Sequence, residues 1–135
     1  KKDIIVSAGG DNISPSRIEE KINIEPEISQ SILYGDFKNY LVAIIVPDIE
    51  FALMWAKENH KDNDIKIIIK DHDFIKKIKE VISTVNTKLS TIEQIRKFIL
   101  IEQEFTIENG MMTPTMKIKR FKVKKFFGDQ LEKLY

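Results

Sequence analysis

Residues 41–46 read Leu-Val-Ala-Ile-Ile-Val, an unbroken apolar run that lies between a turn-forming segment and Pro47. Because apolar residues do not alternate with polar ones here, the run is typical of a β-strand buried on both faces. Pro47 is expected to end it, since proline has no N–H for a sheet ladder. Residues 28–34 predict a neighbouring strand, and Gly35-Asp36 supplies turn residues between the two. The sequence thus indicates the centre of a sheet.

Helices are predicted on both sides of these strands. Ser14 with Pro15 predicts the start of a helix that ends before Pro26, because serine caps helices and proline suits the first helical position. Asp48 is expected to cap a second helix that continues to about Asn59. The side chains expected on the apolar side of that second helix are Phe51, Met54 and Trp55.

Residues 71–89 show the clearest helical period of the chain. Apolar residues recur there at intervals of three and four, with lysine and glutamate on the opposite face: Ile75, Ile78, Ile82, Val85 and Leu89. The preceding residues 65–70 fit either a helical turn or a short extended piece, and the sequence leaves both open.

Two further elements complete the predicted fold. Residues 97–105 predict a third strand, and a terminal helix is indicated by Val123, Phe127, Leu131 and Leu134. Near the N-terminus, Ile4-Ile5-Val6 followed by Gly9-Gly10 resembles a hairpin. We therefore predict an α+β domain, with a small central mixed sheet of about three strands flanked by helices and an N-terminal glycine hairpin.

Composition limits the classes of function. A chain of 135 residues suits one domain with a single core, and a net charge of +1 gives no overall field for nucleic acid. The chain has no cysteine, which excludes a disulfide, a thiolate nucleophile and a cysteine-based zinc site. This fits a reducing compartment, so a cytoplasmic location is expected. Asp62-Asn63-Asp64 begins like a calcium loop but lacks the required glycine, and no metal site is predicted.

Residues 110–120 read Gly-Met-Met-Thr-Pro-Thr-Met-Lys-Ile-Lys-Arg. Pro114 fixes its own φ and favours an extended Thr113, so the segment is interpreted as a stiff surface loop that presents Lys117. The basic run continues beyond this loop, and we interpret it as a solvated helix face: Lys119, Arg120, Lys122, Lys124 and Lys125.

Two motifs carry a resemblance to a known family. Residues 113–120 resemble the C-terminal lysine loop of adenylate-forming (AMP-binding) enzymes of the long-chain acyl-CoA synthetase type. Residues 1–15, with Ile18 and Glu19 after them, resemble the hinge and glycine hairpin that open the C-terminal domain of that family. The resemblance spans the chain and implies that residues 1–135 are one lid domain of a larger two-domain enzyme, with residues 1–13 as hinge and hairpin and 110–120 as lysine loop.

The resemblance also implies roles for individual residues. Lys117 would stabilise the charge that develops during adenylation, Lys2 would be the hinge, and Gly9 and Gly10 would line the CoA channel. ATP and Mg²⁺ would be bound mainly by the N-terminal domain that precedes Lys1, with fatty acid and CoA as the other substrates. The isolated chain is accordingly expected to be inactive. The wider family usually has glycine where this chain has Met116.

The sequence is compatible with other functions as well. The same lid would serve an acyl-AMP ligase that transfers its acyl group to a carrier protein. The basic run from Lys117 to Lys125 would also suit a non-catalytic module that binds an anionic membrane or nucleic acid. Of these two contacts, we keep peripheral membrane contact as a candidate and expect no nucleic-acid partner.

Overall fold

The computed structural model describes residues 3–135. In chain order the elements are β1 (Ile5–Val6), β2 (Asn12–Ile13), α1 (Pro15–Asn23), β3 (Ile28–Tyr34), β4 (Leu41–Pro47), α2 (Ile49–Glu58), α3 (Ile65–Ile68), α4 (His72–Asn86), a 3₁₀ turn (Thr91–Glu93), β5 (Ile95–Leu100) and α5 (Arg120–Glu132).

The apolar run forms the middle strand of a three-stranded mixed sheet with the order β3-β4-β5. Strand β4 pairs antiparallel with β3 and parallel with β5. All seven residues of β4 are buried, as expected for a strand covered on both faces. The predicted α+β class and mixed central sheet are therefore confirmed.

A larger core lies on one face of the sheet. It combines buried residues of α1, α2, α3 and α4 with Ala43 and Ile45 of β4 and with Ile5 and Ile13 of the N-terminal hairpin. The amphipathic period of α4 produces its share of this core, because Phe74, Ile78, Val81, Ile82 and Val85 are all buried.

A smaller core lies on the opposite face of the sheet. It contains Ile32, Val42, Ile44 and Val46 from the sheet, covered by Phe105, Met112, Val123 and Leu131. Helix α5 and the segment before it thus pack on a different face from the other helices, and the predicted terminal helix is confirmed.

Several boundaries and side chains differ from the prediction. Strand β5 covers residues 95–100 and not 97–105, although Phe98 and Ile99 do face opposite cores as expected. Met54 is 61% exposed, because the buried positions of α2 are Ala52 and Ala56. The open question about residues 65–70 is answered by the short helix α3.

The N-terminal hairpin is a separate two-stranded sheet of β1 and β2. It is anchored on the turn between β3 and β4, where the Phe37 N–H donates to the Val6 carbonyl at 2.7 Å and the Ala8 N–H donates to the Lys38 carbonyl at 3.0 Å. The prediction of a glycine hairpin is confirmed, and its attachment to the main sheet is an added finding.

Candidate functional site

Residues 111–119 form a short antiparallel hairpin that we call the lysine hairpin. Met112 and Ile118 pair across it, and the Lys119 N–H donates to the Met111 carbonyl at 2.7 Å. Nearer the tip, the Thr113 N–H donates to the Lys117 carbonyl at 2.8 Å. The expected stiff surface loop is therefore a hydrogen-bonded hairpin with Lys117 beside its turn.

The turn at the tip follows from proline chemistry. The Met116 N–H donates to the Thr113 carbonyl at 2.8 Å, which places Pro114 at the position of a β-turn that its fixed φ suits. Met116 then adopts φ +66°. A turn followed by one left-handed residue is a common three-residue hairpin loop, in which glycine is favoured at the left-handed position. Met116 occupies that position and carries its strain.

The threonines stiffen the same turn. The Thr113 hydroxyl oxygen accepts a hydrogen bond from the Lys117 N–H at 3.1 Å and lies 3.0 Å from the Thr115 hydroxyl. These contacts fix the backbone of Lys117 while its side chain stays exposed. Hydrogen bonds thus hold the main chain of the tip, whereas the cationic side chain of Lys117 extends into solvent.

The base of the lysine hairpin is held by the smaller core. Met112 is only 8% exposed and packs in that core near Phe105. Gln30 of β3 fixes Phe105, because its side-chain amide donates to the Phe105 carbonyl at 3.0 Å and its amide oxygen accepts from the Phe105 N–H at 2.7 Å. The hairpin therefore rises from a defined point on the sheet.

Arg120, the first residue of α5, makes an ion pair that connects distant parts of the chain. Its guanidinium donates to both carboxylate oxygens of Glu19, at 2.5 and 2.8 Å, and to Asp3 at 3.0 Å. Burial alone would lower the pKa of Arg120, but the hydrogen bonds to Glu19 and Asp3 raise it above its usual value. Arg120 is therefore a fixed charge and not part of a solvated face.

The lysines that follow Arg120 in the basic run are of two kinds, paired and exposed. Lys124 pairs with Asp36 at 3.2 Å, whereas Lys122 and Lys125 are exposed. The interpretation of the whole run as a solvated face is thus wrong for Arg120 and Lys124, since both have carboxylate partners. Lys117 differs from these two, because among residues 3–135 no ion pair includes it.

Gly9 and Gly10 lie at the exposed turn of the N-terminal hairpin. The Gly10 N–H donates to the Ser7 carbonyl at 2.9 Å, and Gly10 has φ +88°, a conformation that favours glycine. A Cβ built on Gly9 would meet only Asp11 and Ser7 side-chain atoms, at 3.6 and 3.9 Å. The turn therefore presents bare backbone with open space beside it.

The two hairpins belong to opposite sides of the sheet. Ile5 and Ile13 of the glycine hairpin lie in the larger core, and Met112 of the lysine hairpin lies in the smaller core. Lys2, the expected hinge, lies outside the described residues. Its neighbour Asp3 contacts Arg120, so the chain entry and the end of the lysine hairpin are brought together.

Sequence reasoning missed the contact among Asp3, Glu19 and Arg120. A weak signal existed, because Glu19 lies four positions after Pro15 and three before Ile22, on the helix face that the buried residues of α1 share. Within residues 3–135 the structure contains neither a group of three or more metal-ligating side chains nor a helix long and apolar enough to cross a membrane.

Comparison with known families identifies the domain. The model of the family described as "AMP-binding enzyme C-terminal domain" matches residues 2–135. The chain belongs to this family. The resemblance drawn from the lysine loop and the glycine hairpin is confirmed.

Curated relatives of this AMP-binding C-terminal domain are fatty-acid ligases. Over its whole length the chain is 36% identical to long-chain-fatty-acid–CoA ligase FadD15 of Mycobacterium tuberculosis and 31% identical to human long-chain-fatty-acid–CoA ligase 1. It is also 36% identical to fatty acyl-CoA synthetase B of Dictyostelium discoideum. The chain spans only 23%, 20% and 20% of these relatives, about a fifth of their length.

Solved structures share the fold of this AMP-binding C-terminal domain. The adenylation domain of a carboxylate reductase from Mycobacterium chelonae aligns with 98% of this chain and 19% of its own, at a TM-score of 0.78 and 27% identity. The A-PCP didomain of carboxylic acid reductase from Segniliparus rugosus, in complex with AMP, aligns with 99% of this chain and 17% of its own, at a TM-score of 0.79 and 28% identity.

Proposed function

We propose that this chain is the mobile C-terminal domain of a long-chain fatty-acid:CoA ligase, which converts ATP, fatty acid and CoA to acyl-CoA, AMP and pyrophosphate. Full-length relatives with that name support the proposal, and their greater length leaves room for an N-terminal AMP-binding domain. In this proposal the chain contributes two surfaces to a partner domain and has no complete active site of its own.

The observation that carries the proposal is the exposed amine of Lys117 on a rigid hairpin. When a fatty carboxylate attacks the α-phosphate of ATP, negative charge collects on both reactants and on the pentacoordinate phosphorus. An ammonium group placed between them stabilises that charge where it develops. A long side chain on a fixed backbone suits this task, because only the side chain must order on docking.

The glycine hairpin would serve the second half-reaction. In this proposal the domain rotates about the hinge at Lys2 and places Gly9 and Gly10 against the preceding domain, where their backbone lines the channel for CoA. Glycine suits such a wall because no Cβ keeps backbone and ligand apart. The location of the two hairpins on opposite sides of the sheet supports a domain that uses one face for each step.

The nucleotide and its metal would be held mainly by the preceding domain. In residues 3–135 no three or more histidine, cysteine, aspartate or glutamate side chains lie close enough together to hold a metal ion. We therefore assign no Mg²⁺ ligand to this chain, and Lys117 is its only group proposed to approach the reacting phosphate.

The test is Lys117→Ala in the enzyme that carries this domain with its N-terminal partner. We expect acyl-adenylate formation to slow by about 10²–10³, the usual effect of removing one charge-stabilising group. Thioester formation from supplied acyl-AMP should stay within about twofold of the parent, because that step uses the other face. Rapid-quench measurement of each half-reaction would separate the two rates.

Lys125→Ala is the matched control, since Lys125 is another exposed lysine eight positions further along. It should leave both half-reactions unchanged. Equal slowing of both half-reactions by Lys117→Ala, or an equal effect of Lys125→Ala, would contradict the assignment.

A carrier protein is the second candidate for the acyl acceptor. The Segniliparus rugosus A-PCP didomain aligns with 99% of this chain, and this likeness favours a lid that meets a carrier domain. Supplying the full enzyme with CoA and, separately, with a phosphopantetheinylated carrier protein would distinguish the two. Acyl transfer to CoA alone is the result expected from the main proposal.

A cytoplasmic enzyme that touches an anionic membrane is the accompanying proposal for its location. Helix α5 exposes Phe121 and Phe126, at 78% and 70%, beside the exposed cations Lys122 and Lys125. Aromatic and basic side chains in that arrangement favour a lipid surface. Sedimentation with anionic vesicles at two salt concentrations checks this, with neutral vesicles as control.

A further inference from the structure

The guanidinium of Arg120 is the meeting point of three separate chain segments. Glu19 comes from the middle of α1, Asp3 lies near the start of the chain, and Arg120 immediately follows the lysine hairpin. The Arg120 side chain is 11% exposed, and its contacts to Glu19 span 101 positions of sequence. One side chain therefore ties the end of the hairpin to the entry of the domain.

Glu19 is itself held firmly. It is 7% exposed, and its Oε2 accepts a hydrogen bond from the Leu33 N–H of β3 at 2.7 Å as well as one from Arg120. A buried carboxylate with these partners has a single favourable place for a cation. Glu19 thus acts as a fixed reference point, built from α1 and β3, to which Arg120 is attached.

The hairpin transmits the position of Arg120 to Lys117. Lys119 closes the base of the hairpin through its 2.7 Å hydrogen bond to Met111, and Lys117 is tied to Thr113 across the turn. The short segment 117–119 is hydrogen-bonded at both ends and Arg120 follows it directly, so a shift at Arg120 is expected to move the lysine with it.

We propose that Arg120 is a positioning residue for adenylation, which joins the lysine hairpin to Asp3 and Glu19 so that Lys117 turns with the domain as one rigid body. This inference rests on the proposed role of Lys117. Arginine is required for the task because its planar fork engages both oxygens of Glu19 and reaches Asp3 as well. Lysine would keep the charge but would lose the two-oxygen geometry.

The first experiment compares half-reactions in the full enzyme with Arg120→Lys. We expect acyl-adenylate formation to slow at least about tenfold, because displacement of a reacting group by about 1 Å has effects of that order or larger. Thioester formation from supplied acyl-AMP should change less than about twofold. Arg17→Lys is the matched control, because Arg17 on α1 pairs with Glu93 away from the hairpin, and it should slow neither step.

A second variant leaves the buried pair of Glu19 and Arg120 in place and changes only the exposed partner of Arg120. Asp3 is 59% exposed, so Asp3→Asn should leave the melting temperature within about 1 °C while weakening the link between domain entry and hairpin. As for Arg120→Lys, we expect adenylation to slow and thioester formation to stay nearly unchanged, but the effect on adenylation should be smaller, about threefold. Adenylation at the parent rate in both variants would overturn the inference.

A double variant separates positioning from general loss of structure. If Arg120 acts through Lys117, then Arg120→Lys should cause no further loss of adenylation in an enzyme that already carries Lys117→Ala. Additive losses, or equal slowing of both half-reactions by Arg120→Lys, would overturn the inference. Full adenylation in Lys117→Ala alone would instead overturn the proposed function, so the two failures give different results.

Discussion

At the scale of single residues, Met116 is the unusual feature of the lysine hairpin. Pro114 lies at the second position of a β-turn whose fourth residue is Met116. In a three-residue hairpin loop of this kind the residue that ends the turn must be left-handed for the strands to pair, and Met116 accordingly adopts φ +66°. Side chains other than glycine, asparagine and aspartate rarely adopt this conformation. The hairpin therefore stores strain one residue before the proposed catalytic amine.

Met116→Gly should stabilise the domain, because glycine adopts this conformation without strain and the methionine side chain is 64% exposed. We expect the free energy of unfolding to rise by about 0.5–1 kcal/mol, even though glycine adds freedom to the unfolded chain. Chemical denaturation monitored by circular dichroism measures this.

Met54→Gly provides the matched control for Met116→Gly. Met54 is similarly exposed at 61% but lies inside α2, where glycine should destabilise by about 1 kcal/mol. Destabilisation by both substitutions would show that Met116 is not strained.

The residue scale also shows where sequence reasoning succeeds and where it stops. The exposure of Lys117 was predictable, because Pro114 and its flanking threonines determine a local turn. The pairing of Arg120 was not, since its partners Glu19 and Asp3 lie 101 and 117 positions away. Local chemistry can be read from adjacent residues, whereas an ion pair of this kind depends on how the whole chain folds.

At the scale of elements, aspartates define where three helices begin. Asp48, Asp64 and Asp71 each accept hydrogen bonds from backbone N–H groups in the first turns of α2, α3 and α4. Ser14 lies at the cap position of α1 but makes no such side-chain bond. Three of these starts therefore follow from carboxylate caps, and Pro15 at the first helical position contributes to the fourth.

The end of β5 illustrates why boundaries are harder to predict than elements. The apolar residues up to Phe105 suggest a longer strand, but the last ladder pair joins Ile45 to Leu100, shortly before β4 ends at Pro47. Phe105 is instead buried in the smaller core and held by the side chain of Gln30. A strand ends where its pairing with the neighbouring strand ends, and one strand's sequence does not contain that information.

Asp71→Ala should destabilise the domain by about 1 kcal/mol at pH 7, because α4 loses the cap that accepts from the N–H groups of Asp73 and Phe74. Burial alone would raise the pKa of Asp71, but hydrogen bonds from Phe74, Lys61 and Asp73 lower it below its usual value near 3.8. A lowered pKa gives stability that is present above the usual value and is lost as the pH falls through the folded-state value.

The difference in free energy of unfolding between Asp71→Ala and the parent should therefore have its full value at pH 7 and should shrink below about pH 3.8. Urea unfolding at a series of pH values measures this. Asp62→Ala, which changes an exposed aspartate in the preceding loop, is the control and should have little effect at any pH. A difference that grows on acidification would contradict the assigned cap.

Gly9→Ala tests the glycine hairpin. The new Cβ would make only ordinary contacts, at 3.6 and 3.9 Å, and Gly9 does not have a positive φ, so stability should change by less than about 0.5 kcal/mol. If this backbone lines the CoA channel, thioester formation in the full enzyme should slow by about tenfold or more, with adenylation unchanged. Unchanged rates of both half-reactions would argue against a channel wall at Gly9.

At the scale of the whole molecule, one sheet separates two cores of unequal size. Among residues 3–135, nineteen buried apolar residues form the larger core and eight form the smaller one. The lysine hairpin and α5 rest on the smaller core. Of the two surfaces proposed to contact a partner domain, the lysine hairpin is therefore supported by the smaller core and the glycine hairpin by the larger one.

Hydrogen exchange should report this asymmetry. We expect backbone amides of α5 to exchange through openings of lower free energy than those of α4, because fewer buried contacts must break to release α5. Native-state exchange followed by mass spectrometry, with increasing denaturant, would measure the difference. Equal protection of α4 and α5 would mean that the two cores open together.

The parallel pairing of β4 with β5 has a consequence for biosynthesis. Leu41 pairs with Ile95, so the ribosome must add 54 residues after the first strand residue before its partner exists. At about 5–20 residues per second this takes on the order of 3 to 11 s. During that interval the nascent β4 is an apolar strand with one unpaired edge, a form prone to aggregation. This edge stays unpaired until residues 95–100 have been synthesised and have left the ribosome.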